Sequence, residues 1–231
     1  MELSKRLGII ASFIENGDSM VDIGTDHGYI PIYLVKKGIC NKAIAGDINK
    51  GPIERAEKNI FKERLSDKII CRLGGGFSVV SEGEVDACVI AGMGGDLITE
   101  IIENDIEKFK NLKYAVIQPV QNVDVFRKNL YNKGFEILNE KMCIEDGKFY
   151  EIFKIKYDTH KKKVDPIYYE ISEKLFKEKD LILKEYIIFL INKYENILKY
   201  IIEDTDNAIK RRKELNIKLS KLRSCLNDFN R

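Results

Sequence analysis

The 231-residue chain lacks a dominant charge: 39 Lys+Arg against 37 Asp+Glu leave a net charge of +2. That excludes a protein that is basic throughout, so any nucleic-acid surface must come from local clustering. Paired cysteines are also missing. Cys40, Cys71, Cys88, Cys143 and Cys225 are scattered, with no CxxC and no metal-ligand spacing. No metal centre is expected, and the thiols read as reduced, small apolar fillers. No apolar run approaches the ~20 residues needed to span a bilayer. The nearest candidate, residues 186–191, is short and flanked by charge. The first residues lack the charged-apolar-small pattern of a secretory leader, so a cytoplasmic protein without membrane partners is expected. What is present is 44% hydrophobic residues, enough for a buried core. The length fits one enzyme-sized domain plus something small.

Residues 1–157 alternate between short β-rich runs and helical stretches. Strands are expected over 19–24, 42–47, 68–73, 85–91, 114–118, 135–144 and 149–157, with helices such as 52–65 and 96–108 between most of them. This alternation predicts an α/β fold with a largely parallel sheet and helices on both faces. The last two strands leave room only for the turn Glu145-Asp146-Gly147-Lys148, which reads as a hairpin. A parallel sheet of seven strands ending in a hairpin fits the Rossmann-like class I methyltransferase plan better than that of the dinucleotide dehydrogenases.

The period changes after Asp158, where a second domain, 158–231, is expected to begin. Asp165-Pro166 suits an N-cap and first helical position. Apolar residues recur at Ile187, Leu190, Tyr194, Ile197 and Ile201, stop at Glu203-Asp204-Thr205-Asp206, and resume at Ala208, Leu215, Leu219, Leu222, Leu226 and Phe229. Two heptad stretches around a polar break predict an antiparallel helical hairpin, a short coiled coil. Residues 158–231 hold 17 Lys+Arg against 13 Asp+Glu, a net +4, leaving the remainder at −2. The basic residues cluster at Lys161, Lys162 and Lys163 and at Lys210, Arg211, Arg212 and Lys213. Such clusters serve either as a solvated coiled-coil face or as a surface for a phosphate backbone.

The strongest local pattern is Val21-Asp22-Ile23-Gly24-Thr25-Asp26-His27-Gly28-Tyr29-Ile30, an apolar strand entering a glycine turn and then a helix. Small residues let backbone approach a ligand, and a helix N-terminus offers unpaired N–H groups. A pyrophosphate loop reads GxGxxG. Here the spacing is GxxxG with Asp26 inside, which repels a pyrophosphate and suits a ligand carrying a sulfonium and an amino group. Asp47 ends the second strand, where a carboxylate can accept both ribose hydroxyls. Ala91-Gly92-Met93-Gly94-Gly95 closes the fourth strand and leaves room for a substrate beside the cofactor, and Gln118-Pro119 closes the fifth. The expected cofactor is S-adenosyl-L-methionine. Its expected contacts are Asp22, Gly24, Thr25, Asp26, His27, Gly28, Asp47, Ile48, Asn49, Gly74, Gly75, Ala91, Gly92 and Met93.

Taken in order, Leu3-Ser4-Lys5-Arg6-Leu7, Asp22 to Pro31, Gly46-Asp47-Ile48-Asn49-Lys50-Gly51-Pro52, Arg72-Leu73-Gly74, Ala91-Gly92-Met93-Gly94-Gly95 and Gln118-Pro119 resemble the bacterial tRNA (adenine-22-N1)-methyltransferase family, TrmK. Each motif alone is generic to methyltransferases; the Asp-His pair with AGMGG and QP is much more selective. The resemblance implies methylation of N1 of adenine 22 in tRNA, and it implies the helical tail. One departure stands out. Family members usually read Gly-Asp-Gly after the third strand, where the Asp can contact the adenine amino group. This chain reads Gly74-Gly75-Gly76, which implies weaker cofactor binding.

Methyl transfer from a sulfonium to an in-plane nitrogen lone pair needs no strong base, so alignment and desolvation are the main tasks. The product carries positive charge, which a nearby acceptor stabilises. Asp26 is the first candidate for that acceptor, or else it holds the cofactor or the loop. His27 can orient Asp26 or stack on the base, Gln118 can read the adenine edge, and Arg6 can meet a carboxylate or phosphate at the pocket rim. The target base must leave its stack, so a grip on tRNA is required, and the two basic clusters are the candidate grip. A monomer is expected, with a dimer as the alternative. Two other functions stay open: methylation of another substrate, and a non-catalytic, cofactor-binding RNA module.

Overall fold

The computed structural model describes residues 2–229. Seven strands, β1 (Met20–Ile23), β2 (Ala43–Asp47), β3 (Ile69–Leu73), β4 (Ala87–Gly94), β5 (Tyr114–Gln121), β6 (Phe135–Glu145) and β7 (Lys148–Tyr157), form one sheet in the order β3-β2-β1-β4-β5-β7-β6. The pairs among β1 to β5 are parallel, while β7 runs antiparallel to both β5 and β6. The expected class I architecture is therefore present, hairpin included.

The central strands are mostly apolar because both faces are covered, with Asp22 and Gln118 as buried polar exceptions. Met20 and Val21 point to opposite sides, as pleating requires. On one side Met20, Ala45, Val89 and Val116 pack under α1 (Lys5–Ala11), α2 (Tyr29–Lys36) and α3 (Lys50–Lys62) through Ile10, Ile32, Leu34, Ala56 and Ile60. On the other, Val21, Ile44, Ile90 and Ile117 meet α4 (Gly95–Asn104), α5 (Ile106–Lys110) and α6 (Val123–Lys133) through Ile98, Ile102, Phe109, Phe126 and Leu130. Fully buried Arg127, on α6, is held by Glu140 and Glu151 of the hairpin strands and lies 4.8 Å from the Phe153 ring centroid.

The chain leaves β1 toward β2 and β3, then crosses back to place β4 on the other side of β1. This reversal opens a crevice at the carboxyl ends of β1 and β4, where ligands of such sheets bind. Two expectations are corrected here. The helix expected over 96–108 is broken at Asp105 (φ −128°, ψ 40°) into α4 and α5. The fourth strand does not end at 91: it bulges at Gly92 (φ +79°) and pairs on to Gln121.

The chain divides into two compact units between Lys163 and Val164, six residues beyond the expected boundary. The reason is local: the backbone N–H groups of Asp158 and Thr159 donate to Gly134 O, and that of Lys162 donates to Tyr131 O, so 158–163 stay with the first unit. In the second unit, short helices α7 (Ile167–Glu170) and α8 (Glu173–Lys177) precede α9 (Leu181–Tyr200) and α10 (Asp206–Phe229). Asp165 caps α7 by accepting from Ile167 N at 2.9 Å, and the long helix starts later, capped by Asp180. Arg223 reaches Glu195 and Arg212 reaches Ile201 O, an antiparallel pairing. The seam buries Leu183, Ile187, Leu190, Ile191 and Tyr194 against Leu215, Leu219, Leu222 and Cys225. Cys225 takes the place expected of Leu226. Among the described residues no helix is long and apolar enough to cross a membrane, and no group of three or more His, Cys, Asp or Glu could hold a metal ion.

Candidate active site

The ends of β1, β2 and β4, the loops that follow β1 and β3, Arg6 of α1 and one face of α4 build the site. After β1 the chain turns at Gly24 (φ +80°) and again at Gly28 (φ +69°) before entering α2. The N–H groups of Gly24 and Thr25 both donate to Gly46 O, at 2.8 and 3.0 Å, which ties the loop to the end of β2. A Cβ on Gly24 would lie 2.0 Å from Met93 Cε, so the Met93 side chain rests on bare backbone there. Any larger residue at 24 forces Met93 away.

Two cavities meet at Gly24. The first, of about 470 Å³, runs past Asp47, Ile48, Gly74, Gly75 and Met93 to the cavity face of α4. Asp47 accepts from Asn49 N through Oδ1 at 2.7 Å, leaving Oδ2 without a partner among the described residues. Ile48 is 71% exposed, an apolar side chain offered to solvent beside this cavity. The second cavity, of about 350 Å³, is lined by Arg6, Asp22, Thr25, Asp26, His27, Tyr29 and the backbone of Ala91 and Gly92. All the expected cofactor residues thus line one cavity or the other, and the catalytic candidates Arg6, Asp26 and His27 line the second.

Charge is arranged unevenly around the second cavity. Asp22 is buried, and burial pushes its carboxyl from 3.8 up to about 6; the Thr25 hydroxyl pulls the other way, and the Asp47 carboxylate adds to the rise. Asp26 is exposed but doubly held. Its Oδ1 accepts from Arg55 Nε at 3.1 Å and from Arg55 Nη2, and its Oδ2 lies 3.2 Å from His27 Nε2. His27 stacks on Tyr29, centroids 5.0 Å apart and planes within 10°. Asn59 Nδ2 donates to His27 O at 3.0 Å.

The rim is a second network. Arg6 Nη1 donates to Gln118 Oε1 at 2.5 Å, Arg6 N donates to Glu145 Oε1 at 2.9 Å, and the guanidinium lies 5.2 Å from the Tyr150 centroid. Gln118 is fully buried, and its Nε2 donates to Pro119 O at 2.8 Å. The acceptor expected to read an adenine edge is therefore already engaged by Arg6. The cysteines are no nucleophiles: burial raises the Cys71 thiol to about 11 and the Cys40 thiol to about 12.

Sequence reasoning missed Arg55, Asn59, Tyr29, Glu145 and Tyr150. Arg55 and Asn59 sit four residues apart on α3, and that i, i+4 spacing was their only signal. In the basic clusters, Lys161, Lys162 and Lys163 belong to the first unit, and the Lys162 amine lies 5.6 Å from the Tyr131 centroid. Arg212 is spent on the interhelical turn through Ile201 O and Asp204, and Arg211 pairs with Glu214 at 3.6 Å. Among the described residues, Lys210 and Lys213 have no ion-pair partner, unlike Arg211 and Arg212.

Comparison with known proteins identifies the family. Residues 3–153 match the methyltransferase domain family. The tRNA (adenine(22)-N(1))-methyltransferase of Bacillus subtilis is 40% identical over 152 residues, which span 66% of this chain and 64% of that enzyme. The crystal structure of the B. subtilis m1A22 tRNA methyltransferase TrmK superposes with a TM-score of 0.87 at 31% identity, covering 97% of this chain and 99% of that one. Mycoplasma capricolum TrmK, in complex with S-adenosylhomocysteine, gives a TM-score of 0.85 at 28% identity, covering 98% and 100%. This chain belongs to the TrmK family of tRNA (adenine(22)-N1)-methyltransferases.

Proposed function

We propose that the chain transfers the methyl group of S-adenosylmethionine to N1 of adenine 22 in tRNA. The observation that carries this reading is the meeting of two cavities at Gly24 beneath Met93: one suits a nucleoside, and the other is open and ringed by Arg6, Asp26 and His27. The side chains fit the cofactor. The free oxygen of Asp47 suits ribose hydroxyls, Ile48 a flat base, and the carboxylates of Asp22 and Asp26 a cationic amino acid portion. Bound there, S-adenosylmethionine supplies an activated methyl group on a sulfonium.

The remaining tasks fall to this chain. A base seated in the second cavity has its reacting nitrogen aligned toward the methyl group, its own body displacing water there. Asp26, fixed between Arg55 and His27, holds negative charge where the methylated adenine becomes positive. The stacked His27–Tyr29 pair offers a face to an unstacked base. Arg6 has donors beyond those given to Gln118 and meets a phosphate at the rim. Lys161, Lys162, Lys163, Lys210, Arg211 and Lys213 supply the grip on the tRNA backbone, with Arg212 shaping the turn that carries the latter group. On this reading the working form is a cytoplasmic monomer whose macromolecular partner is tRNA. Labelled methyl transfer to a tRNA transcript with adenine at position 22, beside one with guanine there, tests the proposal. Incorporation into the first alone is expected, and equal incorporation overturns the target.

A further inference from the structure

We infer that Asn104 reads the adenine edge of the cofactor, supplying a side-chain contact that the neighbouring glycine run cannot. This rests on the first cavity holding S-adenosylmethionine. The face of α4 turned to that cavity carries Leu97, Ile101 and Asn104, at i, i+4 and i+7. Ile101 lies against the glycine run: a Cβ at Gly76 would sit 3.2 Å from Ile101 Cγ2, and one at Gly75 would sit 3.3 Å from Ile48 Cδ1. The run is thus bracketed by two apolar side chains, a slot suited to a planar base, and the glycines offer that base no side-chain polar group.

Asn104 stands one turn past Ile101, roughly 4.5 Å further along the helix axis. The helix stops there because Asp105 leaves helical geometry, so Asn104 ends the cavity wall. Asn104 lines the cavity, and its carboxamide has no hydrogen-bond partner among the described residues. An amide presents a donor beside an acceptor, which matches the exocyclic N–H and the adjacent ring nitrogen of adenine. The nearby carboxylates fit less well. Asp105 lies 3.8 Å from Lys108, and neither it nor Glu100 can donate a hydrogen bond when ionised.

The test is calorimetric titration of the full chain with S-adenosylhomocysteine and with its deaminated counterpart, S-inosylhomocysteine. An amide can rotate to suit either base, whereas a carboxylate only accepts: it meets the adenine amine but opposes adenine N1, and it meets the inosine N1–H but opposes the inosine oxygen. Asn104→Ala is expected to bind S-adenosylhomocysteine roughly tenfold more weakly. Asn104→Asp, isosteric but unable to donate, is expected to weaken both ligands about as much as Asn104→Ala does, whereas a residue that merely shaped the cavity would let Asp bind them as wild type does. If both variants match wild type for both ligands, the inference is overturned while the cofactor assignment stands. If Glu100→Ala, and not Asn104→Ala, shows the loss, the reading residue is Glu100 and the inference is overturned. Wild type that fails to bind S-adenosylhomocysteine overturns the cofactor reading and this inference together.

Discussion

The guanidinium of Arg6, on the first helix, donates across 2.5 Å to the carboxamide oxygen of Gln118 at the end of β5. The two residues are 112 positions apart, and the bond fixes the N-terminal helix to the rim of the second cavity. Gln118 is fully buried, so removing Arg6 orphans an acceptor, at about 1–3 kcal/mol. Arg6→Ala is expected to lower stability by that amount and to impair methylation. Gln118→Ala added to it should cost much less than Gln118→Ala alone. Urea unfolding of the four-member cycle measures this, and strict additivity contradicts the coupling.

Asp26 is gripped from both sides, and the consequence is kinetic. Asp26→Ala is expected to lower kcat on the order of 100-fold, the scale for one group that stabilises developing charge. Arg55→Ala leaves the carboxylate but frees its orientation, so a smaller loss is expected, partly restored by Arg55→Lys. Affinity for S-adenosylhomocysteine should change little in the Arg55 variants. Native kcat in Asp26→Ala removes the residue from the chemistry.

Asp22 gives a pH dependence of unusual sign. Its native carboxyl titrates at about 6, above the ordinary 3.8, so the folded state holds the proton more tightly than the unfolded chain. The stabilisation is full below pH 3.8 and is lost as pH rises to about 6, by up to about 3 kcal/mol for this buried group. Asp22→Asn is therefore expected to be more stable than wild type at pH 8, with the gap shrinking toward pH 4, and to bind cofactor poorly. Unfolding midpoints of both proteins across that range decide it; a constant gap contradicts the assignment.

How much of this was legible beforehand varies with the physics. The parallel sheet and its closing hairpin followed from β–α alternation and one short turn, because a parallel pair needs a crossover and a hairpin does not. Asp47, Gly24 and Gly92 were legible because strand ends and positive φ select few residue types. Arg55 was not, since its role depends on where α3 docks. The burial of Arg127 between Glu140 and Glu151 was equally hidden: an arginine in an amphipathic helix reads as surface until two strands bring carboxylates over it. The break of the long helix at Asp105 left no mark either, as no glycine or proline announces it.

In the second basic cluster, Arg211 and Arg212 are engaged by Glu214 and Asp204, while Lys210 and Lys213 have no ion-pair partner among the described residues. Reversing both to Glu is expected to raise KM for tRNA about tenfold or more and to flatten the salt dependence of binding by about two phosphate contacts. Affinity for S-adenosylhomocysteine should stay unchanged. A chain ending after Lys163, where the first unit closes, is expected to bind S-adenosylhomocysteine and to lose tRNA methylation. Full activity of that shortened chain contradicts any role for the second unit in tRNA binding.

The central claim is tested most directly by incubating the purified protein with S-adenosylmethionine and unmodified tRNA carrying adenine at position 22, then mapping the modified nucleoside by mass spectrometry. The expected result is N1-methyladenosine at position 22 and nowhere else. Methylation at another position, or cofactor binding without any methylated nucleoside, contradicts it.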